Sequence, residues 1–429
     1  MNTSSIIQTF IAALALLLGY PNLGNVFIIV MVPLVLFMLI KQDARYLPAL
    51  MLHCSSETSI MYFVFFVMMI ICITKAKQLF ANKHTRFLMV VLLLTLPLYL
   101  VLTYQKMFVD NLTWQASLGY STFYLSFWAF LYSYLLADSF NKDIVKLLSI
   151  SLSMLYLLSF IPVFHYYNRL VSMIVFLGIV YGMYFIFDKK NLLLGSVVAI
   201  MSLVLFFLRS LTFTELLIPI YALVVFFLWN INKPRLAKKC VSLIPYIIII
   251  IVMIWGIRTI DTVSVSYEQL DVASGWKAIK EAAKYKFYGD RVIFWSAGWD
   301  QLISLKPWLP MHDIPDFTAY SIWGDTFDDV TFGAHNTPLQ LLRIFGFIMG
   351  GLLIVCYVYC NMLASKILIQ KKTDSYLIPL FSVVFANLIL VFWGGTASML
   401  LGFAIFTFGL AGIAYGKTTQ NQIEYDTDQ

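Results

Sequence analysis

Charge is what this chain has least of. Only 12% of its 429 residues are Asp, Glu, Lys or Arg, against 61% that are hydrophobic, and mean hydropathy is +0.84. Soluble domains carry about a quarter charged residues, so that class is excluded and a polytopic membrane protein is indicated. Cys54, Cys72, Cys240, Cys356 and Cys360 form no C-x-x-C or Cys/His spacing, which argues against a structural metal or a disulfide framework. Nucleotide signatures are also missing. There is no GxGxxG after a strand, no GxxxxGK[ST], and no DxD on the side read below as cytoplasmic. The energy for any reaction then has to come from an activated, lipid-borne substrate or from nothing at all. No internal repeat or pair of inverted halves of the transporter kind is visible. The first apolar run lacks a basic flank and is followed by a second, so it reads as a retained helix rather than a signal peptide.

What is abundant is apolar length. Runs long enough to cross a bilayer fall at residues 6–20, 24–40, 58–74, 87–104, 118–137, 145–164, 170–187, 192–208, 213–230, 243–260, 338–360, 376–392 and 396–415. A shorter piece at 46–54, broken by Pro48, would make the count even if the segment 41–57 crosses. The expected fold is an all-α polytopic membrane protein of about 12–14 transmembrane helices. One large extracytoplasmic loop, containing short helices, interrupts it. By segment, residues 1–260 form a bundle of about ten helices, 261–337 the loop, 338–416 the C-terminal membrane helices and 417–429 a cytoplasmic tail.

Basic residues set the orientation. Lys75, Lys77, Lys83 and Arg86, Lys142 and Lys146, Lys189 and Lys190, Lys233, Arg235, Lys238 and Lys239, and Lys366, Lys371 and Lys372 occupy alternate loops, read as cytoplasmic. The opposite loops hold only Lys106, Arg169, Arg209 and Arg258. By alternation the long loop lies outside. It carries six Lys/Arg and eleven Asp/Glu, a net −5, which leaves +12 on the rest of a chain whose total is +7.

Two helices are expected inside that loop. Ser274 reads as the N-cap of one running to about Tyr285, with Lys277, Lys280 and Lys284 on one face and Trp276, Ile279 and Ala283 near another. Such a helix suits an anionic membrane surface. Asp290 reads as the cap of a second, with Arg291 at its first position, Val292, Trp295, Trp299 and Ile303 at helical spacing, and Pro307 at its end. From Pro307 to Thr337 there is no Lys or Arg, while Asp313, Asp316, Asp325, Asp328 and Asp329 accumulate.

The loop re-enters membrane at FGAHNTPLQLLRIFGFIMGG (332–351). Thr337 as N-cap, Pro338 at N1 and Gln340 at N3 spell a helix start with a capping box. His335 and Asn336 then lie just outside an N-terminus that attracts anions and keeps an imidazole neutral, which suits His335 to act as a base. An ordinary interfacial loop is the competing reading. Arginine grips phosphate oxygens with two charge-assisted bonds, so Arg209 and Arg291 are candidate anion ligands, with Arg258 and Arg343 as further candidates. Arg343 faces either the site or a buried partner such as Glu215. Arg169, His165 and His312 read more simply as structural. Trp295, Trp299, Trp308 and Trp323 can stack on sugars or anchor at an interface. Gly346 and Gly350 make a small-xxx-small pattern that permits close helix packing.

Three pieces carry a family resemblance: LFFLRS (205–210), GDRVIFWSAGWDQLISLKPWL (289–309) and GAHNTPLQLLRIFGFIMGGLL (333–353). Their order resembles the O-antigen ligase and polymerase superfamily, most closely its Wzy-type polymerases. Arg209 precedes Ser210 here, the reverse of the family's common order. The resemblance implies a glycosyltransferase of the bacterial inner membrane, active on the periplasmic side and needing neither metal nor cofactor. Its donor and acceptor would be undecaprenyl-pyrophosphate-linked oligosaccharides. Arg209 and Arg291 would bind the pyrophosphate, assisted by Arg258, Arg343 and Asn336, and His335 would assist the attacking hydroxyl. A chain-length regulator and a flippase of the same pathway are implied partners, and nucleic acid is not. The alternatives are an O-antigen ligase that transfers the finished glycan to lipid A core, or a lipid-linked glycan flippase.

Overall fold

A backbone shut away from water has to satisfy its hydrogen bonds within each run, and helices do so. The structure, a computed structural model, describes residues 3–54, 59–108, 122–161, 169–208, 213–263, 274–310, 336–370, 373–394 and 405–427. It is about 91% helical, with no strand among the described residues. The first six helices are α1 (Thr3–Leu14), α2 (Tyr20–Lys41), α3 (Leu47–Cys54), α4 (Ser59–Thr74), α5 (Ala76–Ala81) and α6 (Lys83–Phe108). Next come α7 (Thr122–Leu135), α8 (Lys142–Leu158), α9 (Arg169–Phe187), α10 (Leu192–Leu208), α11 (Phe213–Asn230) and α12 (Pro234–Val241). The last six are α13 (Leu243–Thr259), α14 (Gly275–Phe287), α15 (Ile293–Leu305), α16 (Thr337–Ala364), α17 (Ile378–Gly394) and α18 (Leu410–Thr427).

Among the described residues, four stretches are long and apolar enough to cross a membrane: Lys83–Tyr104, Pro234–Thr262, Thr337–Ile369 and Ser375–Gly394. Six more apolar helices are shorter. The hydrophobic surface is turned outward as well as inward. On α10, Leu193 is 79% and Phe207 71% exposed, a face suited to lipid rather than water.

α17 is the centre. Most of its side chains are buried, and α9, α11, α13, α16 and α18 pack around it. Where lipid surrounds helices it removes the hydrophobic drive between them, and close backbone approach then matters more. Between α9 and α10 it is direct: a Cβ on Gly182 would lie 2.9 Å from both Ala199 N and Gly195 O.

At the N-terminal end one expectation is corrected. The runs at 6–20 and 24–40 are not separated by a loop, because helix continues from α1 through a π-turn at Ala15–Gly19 into α2. Of the segment 41–57 the structure describes residues 41–54, which hold a single turn of 3-10 helix, Ala44–Tyr46, and the short helix α3. α3 has eight residues, all buried, and at about 1.5 Å per residue it is too short to cross. Asp43 begins this piece, accepting from Arg45 N at 2.9 Å and from Arg45 Nε at 2.7 Å. Burial raises the Asp43 pKa, but the bonds from Arg45 and its charge outweigh burial and hold it below the usual value.

Candidate functional site

The site is built where the end of α13, the loop helices and the start of α16 meet. Met253, Tyr288, Val292, Trp295, Leu302 and Leu339 form a small core of their own, with Ile257, Ile260, Val263, Phe287, Leu342, Phe347 and Trp393 packed against it. Trp295 meets its neighbours edge-on, 5.0 Å from Trp393 and 5.7 Å from Phe287, a geometry that ring quadrupoles favour.

The two loop helices are one. α14 has Ser274 at its N-cap, as expected, although the serine hydroxyl makes no capping bond. It then passes without a break through a π-turn, Tyr288–Val292, into α15. Asp290 is therefore no helix cap, and Arg291 lies inside a π-turn rather than at a helix start. Periodicity misses this because the turn adds a residue without breaking the helix, a device common at functional sites. The turn docks on α13 through Gly256, where an added Cβ would lie 2.9 Å from Val292 Cγ2. Tyr288 Oη and Thr259 Oγ1 are 3.0 Å apart. Arg291 is half-buried, and Arg258, near the end of α13, is exposed.

The start of α16 departs from expectation. Its N-cap is Asn336, whose Oδ1 accepts from Leu339 N at 3.2 Å, while Thr337 is already helical and donates its hydroxyl to Val391 O of α17 at 2.7 Å. Asn outranks Thr as a cap, and Thr337 serves better by tying the helix to α17. Gln340 turns to its own helix, where its Oε1 accepts from Arg343 Nη1 at 3.4 Å. Asn336 is fully buried, and its Nδ2 has no hydrogen-bond partner among the described residues.

The apolar run 338–360 is not one straight span. Gly346 has φ 72° and ψ 175°, so the helix breaks there. Nine residues of straight helix span about 13 Å, yet a Cβ on Gly350 would lie 2.8 Å from Leu341 C and 2.9 Å from Leu342 Cα. The half-helix before Gly346 thus folds back on the half after it. The chain following α15 seals the break: Lys306 adopts the left-handed conformation, Phe347 N donates to Pro307 O at 2.7 Å, and Ile348 N donates to Trp308 O at 3.2 Å. The two glycines therefore work within one helix, Gly346 as the break and Gly350 as the seat of the returning half.

Arg343 is 7% exposed. Its Nε donates to Gln301 Oε1 of α15 at 2.7 Å, which with Gln340 gives it two amide acceptors. Glu215, also buried, begins α11. Gln301 was not legible as a site residue, since a lone uncharged Gln beside exposed Asp300 carries no sequence signal. Trp295 is fully buried, so it is a core residue and does not stack on sugar, whereas Trp308 is 66% exposed.

The structure thus sets Arg258, Arg291 and Arg343 next in sequence to members of one aromatic core, and Asn336 caps the helix turn that carries its Leu339. Arg209, His335, His165, His312 and Trp323 lie outside the described residues. A separate cleft of about 450 Å³, lined by Asn232, Lys233, Pro234, Arg235, Leu236 and Lys239, opens beyond the opposite end of α13. Searches against family models, curated proteins and solved structures found no match to this chain.

Proposed function

We propose that this chain is an integral membrane glycosyltransferase that joins undecaprenyl-pyrophosphate-linked oligosaccharide repeat units into a surface polysaccharide, at the extracytoplasmic face of a bacterial plasma membrane. The observation that carries the reading is the broken helix α16. Its first half is a buried half-helix whose start directly follows His335, set against the segments that bear Arg258 and Arg291. Interrupted helices are tolerated in membranes where protein buries them or where they line a cavity, and half-helix N-termini are recurrent seats for anionic substrate groups.

In this reading the acceptor hydroxyl attacks the anomeric carbon of the donor. The C–O bond to undecaprenyl pyrophosphate breaks as the new glycosidic bond forms, and the hydroxyl proton passes to the His335 imidazole. Charge grows on the leaving pyrophosphate, where arginines and helix N–H groups stabilise it. Arg209 and Arg291 are the proposed pyrophosphate ligands, with Arg258 at the rim and Arg343 and Asn336 beneath. The multi-pass topology, the extracytoplasmic placement of residues 261–337, and cooperation with a chain-length regulator and a flippase belong to the same proposal.

The test is complementation of a deletion strain, with glycans resolved by electrophoresis. His335→Ala and Arg291→Ala are expected to leave single repeat units on the acceptor at normal protein abundance. Wild-type chain lengths in both would overturn the reading. Polymer accumulating on the undecaprenyl lipid in the deletion strain would instead identify a ligase.

A further inference from the structure

Among the described residues, helix α14 is left out of the packed layers. Of its thirteen residues only Tyr285 is buried, and its C-terminal end alone is held, where Phe287 lies against Trp255, Trp295 and Trp393 with ring centroids 6.1, 5.7 and 6.2 Å apart. Its other side chains divide by angle. At 100° per residue, Trp276, Ile279, Ala283 and Phe287 fall on one ridge, with Lys280, Lys284 and Lys277 along one flank and Lys286 along the other. The ridge is bare, with Trp276 79% and Ile279 60% exposed. Tyr285 and Glu281 lie on the far side, and Glu281 takes an ion pair from Lys284 at 3.7 Å.

We infer that α14 is an in-plane membrane helix, which lays the Trp276–Ile279–Ala283 ridge into the leaflet where α13 ends and sets Lys277 and Lys280 on anionic phospholipid headgroups. Thirteen residues span about 20 Å, and four lysines with one glutamate preclude insertion across the bilayer. A bare apolar ridge flanked by lysines is the pattern of interfacial helices. The ridge also continues an apolar surface of α13, where Ile247, Ile251, Ile254 and Trp255 are exposed, Trp255 by 54%. Trp255 sits within the last turn or so of α13 and against Phe287, the depth at which tryptophan marks a membrane boundary. The consequence for the fold is mechanical: α14, the π-turn and α15 are continuous, so a helix resting on the leaflet fixes the height of Arg291 above it. This rests on the chain being a membrane protein and is independent of the chemistry proposed for His335.

The experiment uses the full chain in vesicles, with Cys240→Ser to remove the half-buried native thiol. Spin labels are placed by Ile279→Cys, Ala283→Cys or Lys277→Cys, and their collisions with oxygen and with a water-soluble nickel chelate are compared. In vesicles of phosphatidylcholine mixed with phosphatidylglycerol, the labels at Ile279 and Ala283 are expected to favour oxygen several-fold, and the label at Lys277 to favour nickel. Phosphatidylcholine alone should lift the Ile279 label toward water. Adding Lys277→Gln and Lys280→Gln to the Ile279→Cys protein should do the same, by roughly fivefold in the docked-to-undocked ratio for each lysine. Equal nickel access at Ile279 and Lys277 would place the helix in water and overturn the inference. A label at Ile279 shielded from both reagents would mean that protein covers the ridge, and would overturn it too. Identical depth in both lipid mixtures would overturn the role given to the lysines.

Discussion

Gly346→Ala is the substitution on which the architecture of the site turns. At φ 72° and ψ 175° the residue occupies a region that is essentially glycine-only, and an L side chain there costs about 1–3 kcal/mol. The new methyl would also fall 2.6 Å from Leu309 C and 2.9 Å from Pro307 O, atoms of backbone that cannot swing aside. Relief requires either expelling the Pro307–Leu309 segment or straightening α16. Expulsion loses the bonds from Phe347 N to Pro307 O and from Ile348 N to Trp308 O, each worth about 0.5–1.5 kcal/mol. Straightening regains about 1 kcal/mol of helix propensity but draws Arg343 away from Gln301 and Thr337 away from Val391. The net loss is about 2–4 kcal/mol of local stability, or roughly thirty- to thousandfold faster opening. Amide hydrogen exchange of the purified protein, read on peptides covering Phe347 and Ile348, measures this directly. Gly351→Ala is the control: Gly351 lies inside the second half with nothing within 4 Å of an added Cβ, so its exchange should stay the same or slow. Gly346→Ala with wild-type exchange and melting temperature would refute the reasoning.

Gln301→Leu removes the acceptor of Arg343 Nε; thermal unfolding in detergent should show a loss of about 1.5–3 kcal/mol, as for a hydrogen bond to a buried charged group. The pair Gln301→Leu with Arg343→Leu should cost less than the sum of the two singles, since each removes the same contact. Asn336→Ser keeps a competent N-cap for α16 while deleting the buried amide donor. Its melting temperature should match wild type to within about 0.5 kcal/mol, and a drop in glycan chain length at that stability would assign the amide to substrate. Gly182→Val forces a branched side chain between the touching backbones of α9 and α10, and size-exclusion profiles should show loss of monodisperse protein, with Gly351→Val as the tolerant comparison.

The sequence by itself determined the material of this protein. Its low charge and its long, continuous apolar runs pointed to helices, because a backbone that water does not reach is satisfied only in helices or closed barrels and unbroken apolar runs of this length suit helices, and helices appear over most of the runs read from hydropathy. It also marked the stretch 332–351 and the cations Arg258, Arg291 and Arg343, because a charge in an apolar chain stands out one residue at a time. What it could not give were features that depend on a neighbour distant in the chain. Thr337 left its expected capping role for a carbonyl on α17, and Arg343 found Gln301. Pro307 and Trp308 stitched themselves to a helix that begins about thirty residues later. The break at Gly346 shows the reason most plainly. Hydropathy is blind to a reversal inside an apolar run, and a glycine reads the same whether it seats a neighbouring helix or lets its own helix turn back. Only the backbone of Pro307–Leu309 lying against Gly346, and that of Leu341 against Gly350, decided that α16 folds on itself and sets its buried first turn beside the segments carrying the arginines.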